Sequence, residues 1–238
     1  MKDWQQRTGI LLGEERLEVL EKSHVLIAGL GGVGSWAAEM LCRAGVGSIT
    51  LVDADVVEES NINRQLVALH STIGKPKAEV LAARLRDINP DIQLTVLVLY
   101  LNEINIKPLL DATQFDFIVD AIDSINPKLC LIREAWEHEY KIISSMGAGA
   151  KSDITTIHFA DLWETNHCNL SKNIRRHLQD MRMVHGLPVV YSSEETDHNA
   201  LLRPLAEEKE NRKCTIGTVS YFTATFGCYI AEYVIKNL

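Results

Sequence analysis

The stretch Val25-Leu-Ile-Ala-Gly29-Leu-Gly31-Gly32-Val-Gly34-Ser35 constrains this chain more than any other. A short apolar run ends at a glycine, and helical spacing begins at once after the loop. This predicts a buried parallel strand over His24–Ala28, then a helix over Val33–Ala44 with Gly45 as its C-cap. Gly29-x-Gly31-x-x-Gly34 between a strand and a helix lets backbone approach a phosphate or ribose at a helix N-terminus. Gly32 adds a further flexible site, and Ser35 a hydroxyl in the first helical turn. Taken alone, the loop favours a dinucleotide such as NAD or FAD, with a tight strand–helix turn without ligand as the plain alternative.

The pattern repeats along the chain. Strands are expected at Ser48–Val52, Ile92–Leu99, Phe115–Ala121 and Lys141–Ser145. Helices are expected over Lys75–Ile88, and from an N-cap at Asn126 with Pro127 at the first helical position to about Tyr140. Regular strand–helix alternation predicts an α/β, doubly wound, mostly parallel Rossmann-like sheet. Beyond residue 150 come candidate strands at Ile154–Phe159 and Leu187–Ser192, a basic helix over Leu170–Val184, a charged loop at 194–213 and a closing helix at Gly217–Leu238. These read as a C-terminal elaboration, so residues 1–238 form one domain: an N-terminal arm (1–23), a nucleotide-binding core (24–150) and the elaboration (151–238).

Composition agrees. A chain of 238 residues, 46% hydrophobic, fills one core. Its formal charge of −8 disfavours a whole-surface nucleic-acid binder but allows a local basic patch. Five scattered cysteines form no Cys-x-x-Cys pair, which argues against a structural zinc site or a disulfide framework and fits a cytoplasmic protein. The N-terminus has no signal-peptide pattern, and the last apolar segment is broken by Gly227 and Glu232, so no membrane span is expected.

In a doubly wound sheet ligands bind at the carboxyl ends of the strands. Asp53 falls there, about twenty residues past the glycines, where an acid accepts hydrogen bonds from ribose hydroxyls. Asp55 reads equally as a water or metal contact and as a turn residue. Asn61-x-Asn63-Arg64-Gln65 discriminates better: hydride transfer needs no such cluster, whereas Asn63 and Gln65 can orient triphosphate oxygens and Arg64 can grip them as a fork. A lysine at a helix N-terminus opposes the helix dipole, so Lys75 and, more strongly, Lys77 point to a phosphate. Asp120 and Asp123 end the fourth strand. Asp123, nearer the loop, is the candidate magnesium ligand, and Asp120 a structural acid. No Gly-x-x-x-x-Gly-Lys-Ser/Thr loop is present, which weighs against kinases and motor NTPases.

Together these residues resemble the ThiF/MoeB adenylyltransferase family, relatives of ubiquitin-activating enzymes. The shared pattern is Gly-x-Gly-Gly-x-Gly-Ser, Asp-x-Asp, Asn-x-x-Arg-Gln and a following lysine. Arg7-Thr-x-x-Leu-Leu-Gly13, Ala121-Ile-Asp-Ser-x-x-Pro-Lys128, Gly147-Ala-Gly-Ala150, Val190-Tyr-Ser-Ser-Glu194 and Thr223-Ala-Thr-Phe-Gly227 resemble its tRNA threonylcarbamoyladenosine dehydratase branch. The resemblance implies ATP and Mg2+ as cofactors, a tRNA substrate and a homodimer. It further implies that Arg7 reaches the partner's site as an arginine finger beside Arg64 and Lys77, with Asp123 on the metal and Asp53 on the ribose. The missing Cys-x-x-Cys pairs favour this branch over sulfur-carrier activation. Adenylation of a ubiquitin-like sulfur carrier and a non-catalytic ATP-binding adaptor stay as alternatives, and docking of a sulfur-trafficking protein stays open.

The reaction so implied needs no enzyme nucleophile. Cys42, Cys130 and Cys228 are expected buried in apolar helices. Cys168 and Cys214 lie in less regular segments, where a structural role outweighs a reactive one. Lys172, Arg175, Arg176 and Arg182 form the candidate tRNA contact, with a solvated helix face as the plain alternative.

Overall fold

The computed structural model describes residues 2–202 and 215–238. One seven-stranded sheet organises them, in the order β3-β2-β1-β4-β5-β7-β6. The strands are β1 (His24–Ala28), β2 (Ser48–Val52), β3 (Gln93–Leu97), β4 (Phe117–Asp120), β5 (Ile142–Ser145), β6 (Ile157–Asp161) and β7 (Pro188–Ser192). Neighbours from β3 to β7 run parallel, and β6 closes that edge antiparallel to β7. β1, β2, β4 and β5 are buried almost throughout, which explains why they read as continuous apolar runs.

Helices cover both faces. α1 (Gln6–Leu12) and α2 (Glu14–Lys22) precede β1. α3 (Gly34–Ala44), α4 (Lys77–Ile88) and α8 (Ser220–Asn237) bury Leu41, Leu81, Phe222, Phe226 and Ile230 in the core of one face. α5 (Ile106–Ala112), α6 (Ile125–Glu137) and α7 (Asn169–Asp180) build the other around Leu110, Leu131, Ile174 and Leu178. Strand order reverses between β1 and β4, so a crevice opens where β1 ends at Gly29 and β4 at Ala121. No helix among the described residues is long and apolar enough to cross a membrane.

Most expected elements are present, with shifted ends. Gly45 takes the left-handed C-cap conformation at φ 107°. Pro76 sits at the N-cap of α4 rather than inside it. Ser124 occupies the N-cap of α6, which places Asn126 and Pro127 in its first turn, where proline's missing N–H has no intrahelical acceptor to serve. α5 was not expected, because Pro108 interrupts its short pattern. Leu201–Leu202 (β8), in the expected charged loop, pairs antiparallel with Thr215–Ile216 (β9) just beyond it; residues 203–214, with Cys214, lie outside the described residues.

α8 approaches α3 at Gly227. A Cβ there would lie 2.6 Å from Trp36 Cβ and 2.7 Å from Val33 O, against the first turn of α3. Gly227→Ala should therefore lower the unfolding free energy by about 1–3 kcal/mol, as overpacked cores do. Urea unfolding of the two proteins checks this, and equal midpoints would contradict the close approach.

Candidate active site

The crevice is a cleft of about 910 Å³, inside the usual range for small-molecule sites. Gly29 has φ 88°, and a Cβ on it would strike Ala121 O at 2.7 Å. A Cβ on Gly34 would lie 1.9 Å from Gly29 O. These two glycines close the turn, while Gly31 and Gly32 expose backbone to the cleft. Gly34 and Ser35 do not line it. Ser35 is buried and its hydroxyl donates to Gly31 O at 2.6 Å, so both residues shape the loop rather than face a ligand.

Asp53 ties this loop to the end of β2. Its carboxylate accepts from Leu30 N at 2.6 Å and from Asp55 N at 2.8 Å, and it lines the cleft. Burial pushes its carboxyl above the usual aspartate value; the two backbone bonds and Lys77 oppose this without cancelling it. Lys77 opens α4 with a side chain only 6% exposed, paired at 2.8 Å with Asp55, which is 70% exposed. The expected conflict with the helix dipole is thus met by a carboxylate, and Asp55 serves chiefly as the partner of Lys77.

The Asn-x-Asn-Arg-Gln segment divides. Asn61 is buried and accepts from Glu58 N at 3.2 Å across the turn Glu59–Asn61; it does not line the cleft, so it caps instead of binding. Asn63 donates to Thr218 O at 3.1 Å and accepts from Arg64 Nη1 at 2.9 Å. Arg64 also reaches Ser60 O through the same nitrogen, and both residues line the cleft. Gln65 lines it too, and its buried Oε1 has no hydrogen-bond partner.

The two acids after β4 separate cleanly. Asp120 is wholly buried. It accepts from Lys128 Nζ at 2.7 Å, Ser144 Oγ at 2.6 Å and Ile122 N at 3.1 Å. Asp123 is exposed and lines the cleft. No group of three His, Cys, Asp or Glu suited to a metal occurs among the described residues. Magnesium needs only one or two carboxylates when phosphates supply other oxygens, so Asp123 fits as its protein ligand in a nucleotide complex.

Several lining residues carried no signal of their own in the sequence. Tyr100 follows β3, Thr218 precedes α8 and Thr223 lies in its first turn. The threonines fall in or near the Thr223–Gly227 motif, so the signal was present but gave no role.

Arg7 is exposed on α1 and does not line the cleft of its own chain. Lys172 and Arg176 are exposed on α7, and Arg182 lies beyond its end with φ 62°. Arg175 is different: its Nη1 donates to Leu162 O at 2.9 Å and to Thr165 O and Oγ1, so it holds the segment before α7. Cys42 and Cys130 are buried as expected, and burial pushes the Cys42 thiol up to about 12. Cys228, expected buried, is exposed. Cys168 is buried at the N-cap of α7, where its sulfur accepts from Ser171 N at 3.5 Å, a structural role.

The ThiF family profile matches residues 5–238. The chain belongs to the ThiF family. Among its relatives, tRNA threonylcarbamoyladenosine dehydratase of Escherichia coli (strain K12) is 34% identical, over 99% of this chain and 94% of that protein. The Bacillus subtilis (strain 168) protein of the same name is 40% identical, over 79% and 74%. The crystal structure of the E. coli dehydratase in complex with ATP superimposes with a TM-score of 0.89 at 33% identity, covering 99% of this chain and 95% of that one. The same ThiF-family fold, at 17% identity and a TM-score of 0.65, recurs in E. coli MccB.

Two predictions follow from the buried acids. Lys128→Met leaves the Asp120 carboxylate buried without its counter-charge and should cost about 3–5 kcal/mol of stability, read from denaturant midpoints. The raised carboxyl of Asp53 gains its proton, as pH falls, sooner than an ordinary aspartate and then weakens as the acceptor that holds Leu30 N of the glycine loop and Asp55 N. Adenosine affinity should therefore drop with acidity above the usual aspartate range, and calorimetry on Asp53→Asn should find that limb gone.

Proposed function

We propose that this chain is an ATP-dependent tRNA threonylcarbamoyladenosine dehydratase, acting through an acyl-adenylate to give the cyclic hydantoin form. The observation that carries the reading is likeness over nearly the whole length of dehydratases, joined to a cleft that gathers Asp53, Arg64, Gln65, Lys77 and Asp123 around the glycine loop. We read residues 1–238 as one unit, since a single sheet runs from β3 to β6.

In this reading Asp53 accepts from the ribose, and the backbone at Gly31 and Gly32 faces the phosphates. A carboxylate oxygen of the threonyl group attacks the α-phosphorus, and the bond to pyrophosphate breaks. Arg64 and Lys77 neutralise the charge that gathers on the phosphate oxygens. Asp123 would hold Mg2+, which would supply Lewis-acid charge stabilisation when bound. A nitrogen of the same substituent then attacks the activated carbonyl, its proton departs and AMP leaves. The ring gains a C–N bond, and the nucleoside has lost one water. Ring closure is intramolecular, so proximity supplies much of this step. The resemblance of Arg7-Thr-x-x-Leu-Leu-Gly13 to the dehydratase branch supports assigning Arg7 to the cleft of a second copy in a homodimer, and its exposed position outside its own cleft is compatible with that. A cytoplasmic site fits the RNA substrate.

Mass analysis of tRNA nucleosides after incubation with the protein, ATP and Mg2+ tests the proposal. The expected result is loss of one water from threonylcarbamoyladenosine with AMP formed in step. Persistence of the open nucleoside, with ATP–pyrophosphate exchange driven instead by a Gly-Gly-ended carrier protein, would reassign the chain.

A further inference from the structure

A second cleft, of about 350 Å³, lies beside the first. Lys172 and Arg175 enter it from one face of α7, His167 from the residue before Cys168, and His198 from the turn His198–Ala200. Glu195 is the acid of its lining; it is 85% exposed and sits 3.9 Å from His167 Nδ1. On a chain of formal charge −8, two permanent cations against one carboxylate leave the formal charge of this small cavity's lining positive, with two imidazoles beside them.

The wall between the clefts is thin. Leu170 lines the ATP cleft, while Cys168 and Asn169 line the second. Cys168 Sγ lies 3.4 Å from where a Cβ on Gly147 would stand, and Gly147 also lines the ATP cleft. Arg175 is fixed in place: its Nη1 is anchored on Leu162 and Thr165, which leaves the rest of the guanidinium held without rotamer freedom to lose.

We propose that this second cleft is a subsite for a backbone phosphate of the RNA, next to the nucleotide whose modified base enters the ATP cleft. The inference rests on the dehydratase reading. An enzyme that works on a base takes that nucleotide out of its stack, and the flanking phosphates then come to rest at the rim of the pocket. A cavity of this size takes a phosphate with its sugar. A docked protein would instead need a broad face, about 800 Å² per partner. Lys172 supplies the mobile point charge, Arg175 the fixed donor, and the two histidines the sides.

The test uses a synthetic anticodon stem-loop carrying threonylcarbamoyladenosine, with fluorescence anisotropy read over a series of salt concentrations. Lys172→Ala should weaken binding about tenfold and flatten the slope of log affinity against log salt by about 0.7, the loss of one neutralised phosphate of a single strand. Lys172→Arg should restore both, and ATP affinity should be unchanged throughout. Arg176→Ala, on the same helix but outside the cleft, should have a clearly smaller effect. An unchanged salt slope for Lys172→Ala overturns the subsite, as does an equal effect of Arg176→Ala, which would mean a diffuse surface field. Inorganic phosphate held by the cleft without competing against the stem-loop would also overturn it, since the site would then serve a free anion. If the wild-type protein fails to remove water from the modified tRNA, the function itself falls; if it succeeds while the variants bind RNA normally, only the subsite does.

Discussion

The buried ion pair between Asp120 and Lys128 holds this molecule's working end together. Both side chains are fully excluded from solvent, and Ser144 Oγ and Ile122 N complete the carboxylate's partners. Taking two charges out of water costs several kcal/mol per ion, so such a pair earns little net stability. Its effect is positional. Asp120 stands in register with Ala28 on β1 and Ser144 on β5, and Lys128 comes from α6. One carboxylate therefore joins β4 to β5 and to α6, beside the point where strand order reverses. Its second oxygen sets the turn that carries Ala121 against Gly29 and Asp123 into the cleft.

The site is built so that polar residues first fasten one loop to another. Asp53 fastens the glycine loop to the end of β2, Asn63 fastens its own loop to the backbone at Thr218, and Arg64 braces against Ser60 and Asn63. The residues that face the cleft are thus oriented before any nucleotide arrives. Preorganised dipoles and charges cost no rearrangement when charge develops, which is the condition for electrostatic stabilisation of a phosphoryl step.

What the sequence made legible follows from how local each signal is. β1, α3 and Gly45 could be read because burial on both faces forces a continuous apolar run and a left-handed cap favours glycine. α5 was invisible because Pro108 breaks a pattern only two turns long. At the site, Asp53 and Asp123 were readable from their place at strand ends. Asn61 and Ser35 misled because a polar side chain that caps a turn has the same composition as one that binds a ligand. Only the three-dimensional partners, Glu58 N and Gly31 O, tell them apart. Arg175 was legible only in part: its Nη1 braces Thr165 and Leu162, ten to thirteen residues back, while the residue still lines the second cleft. Cys228 was misjudged because α8 is apolar around most of its circumference but leaves one stripe outside.

Asp55 and Lys77 bear on how the cleft exchanges ligands. The lysine is nearly sealed from water, whereas the carboxylate that balances it stands largely in solvent. On the proposed reading, in which Lys77 meets a phosphate, the ammonium would hold this protein anion until a ligand anion displaced it. Exchange of one partner for another avoids the full desolvation of a lone buried charge in either direction. The cleft would then carry its own counter-ion at the surface, and admitting or releasing a phosphate would cost the difference between two ion pairs rather than the making of one.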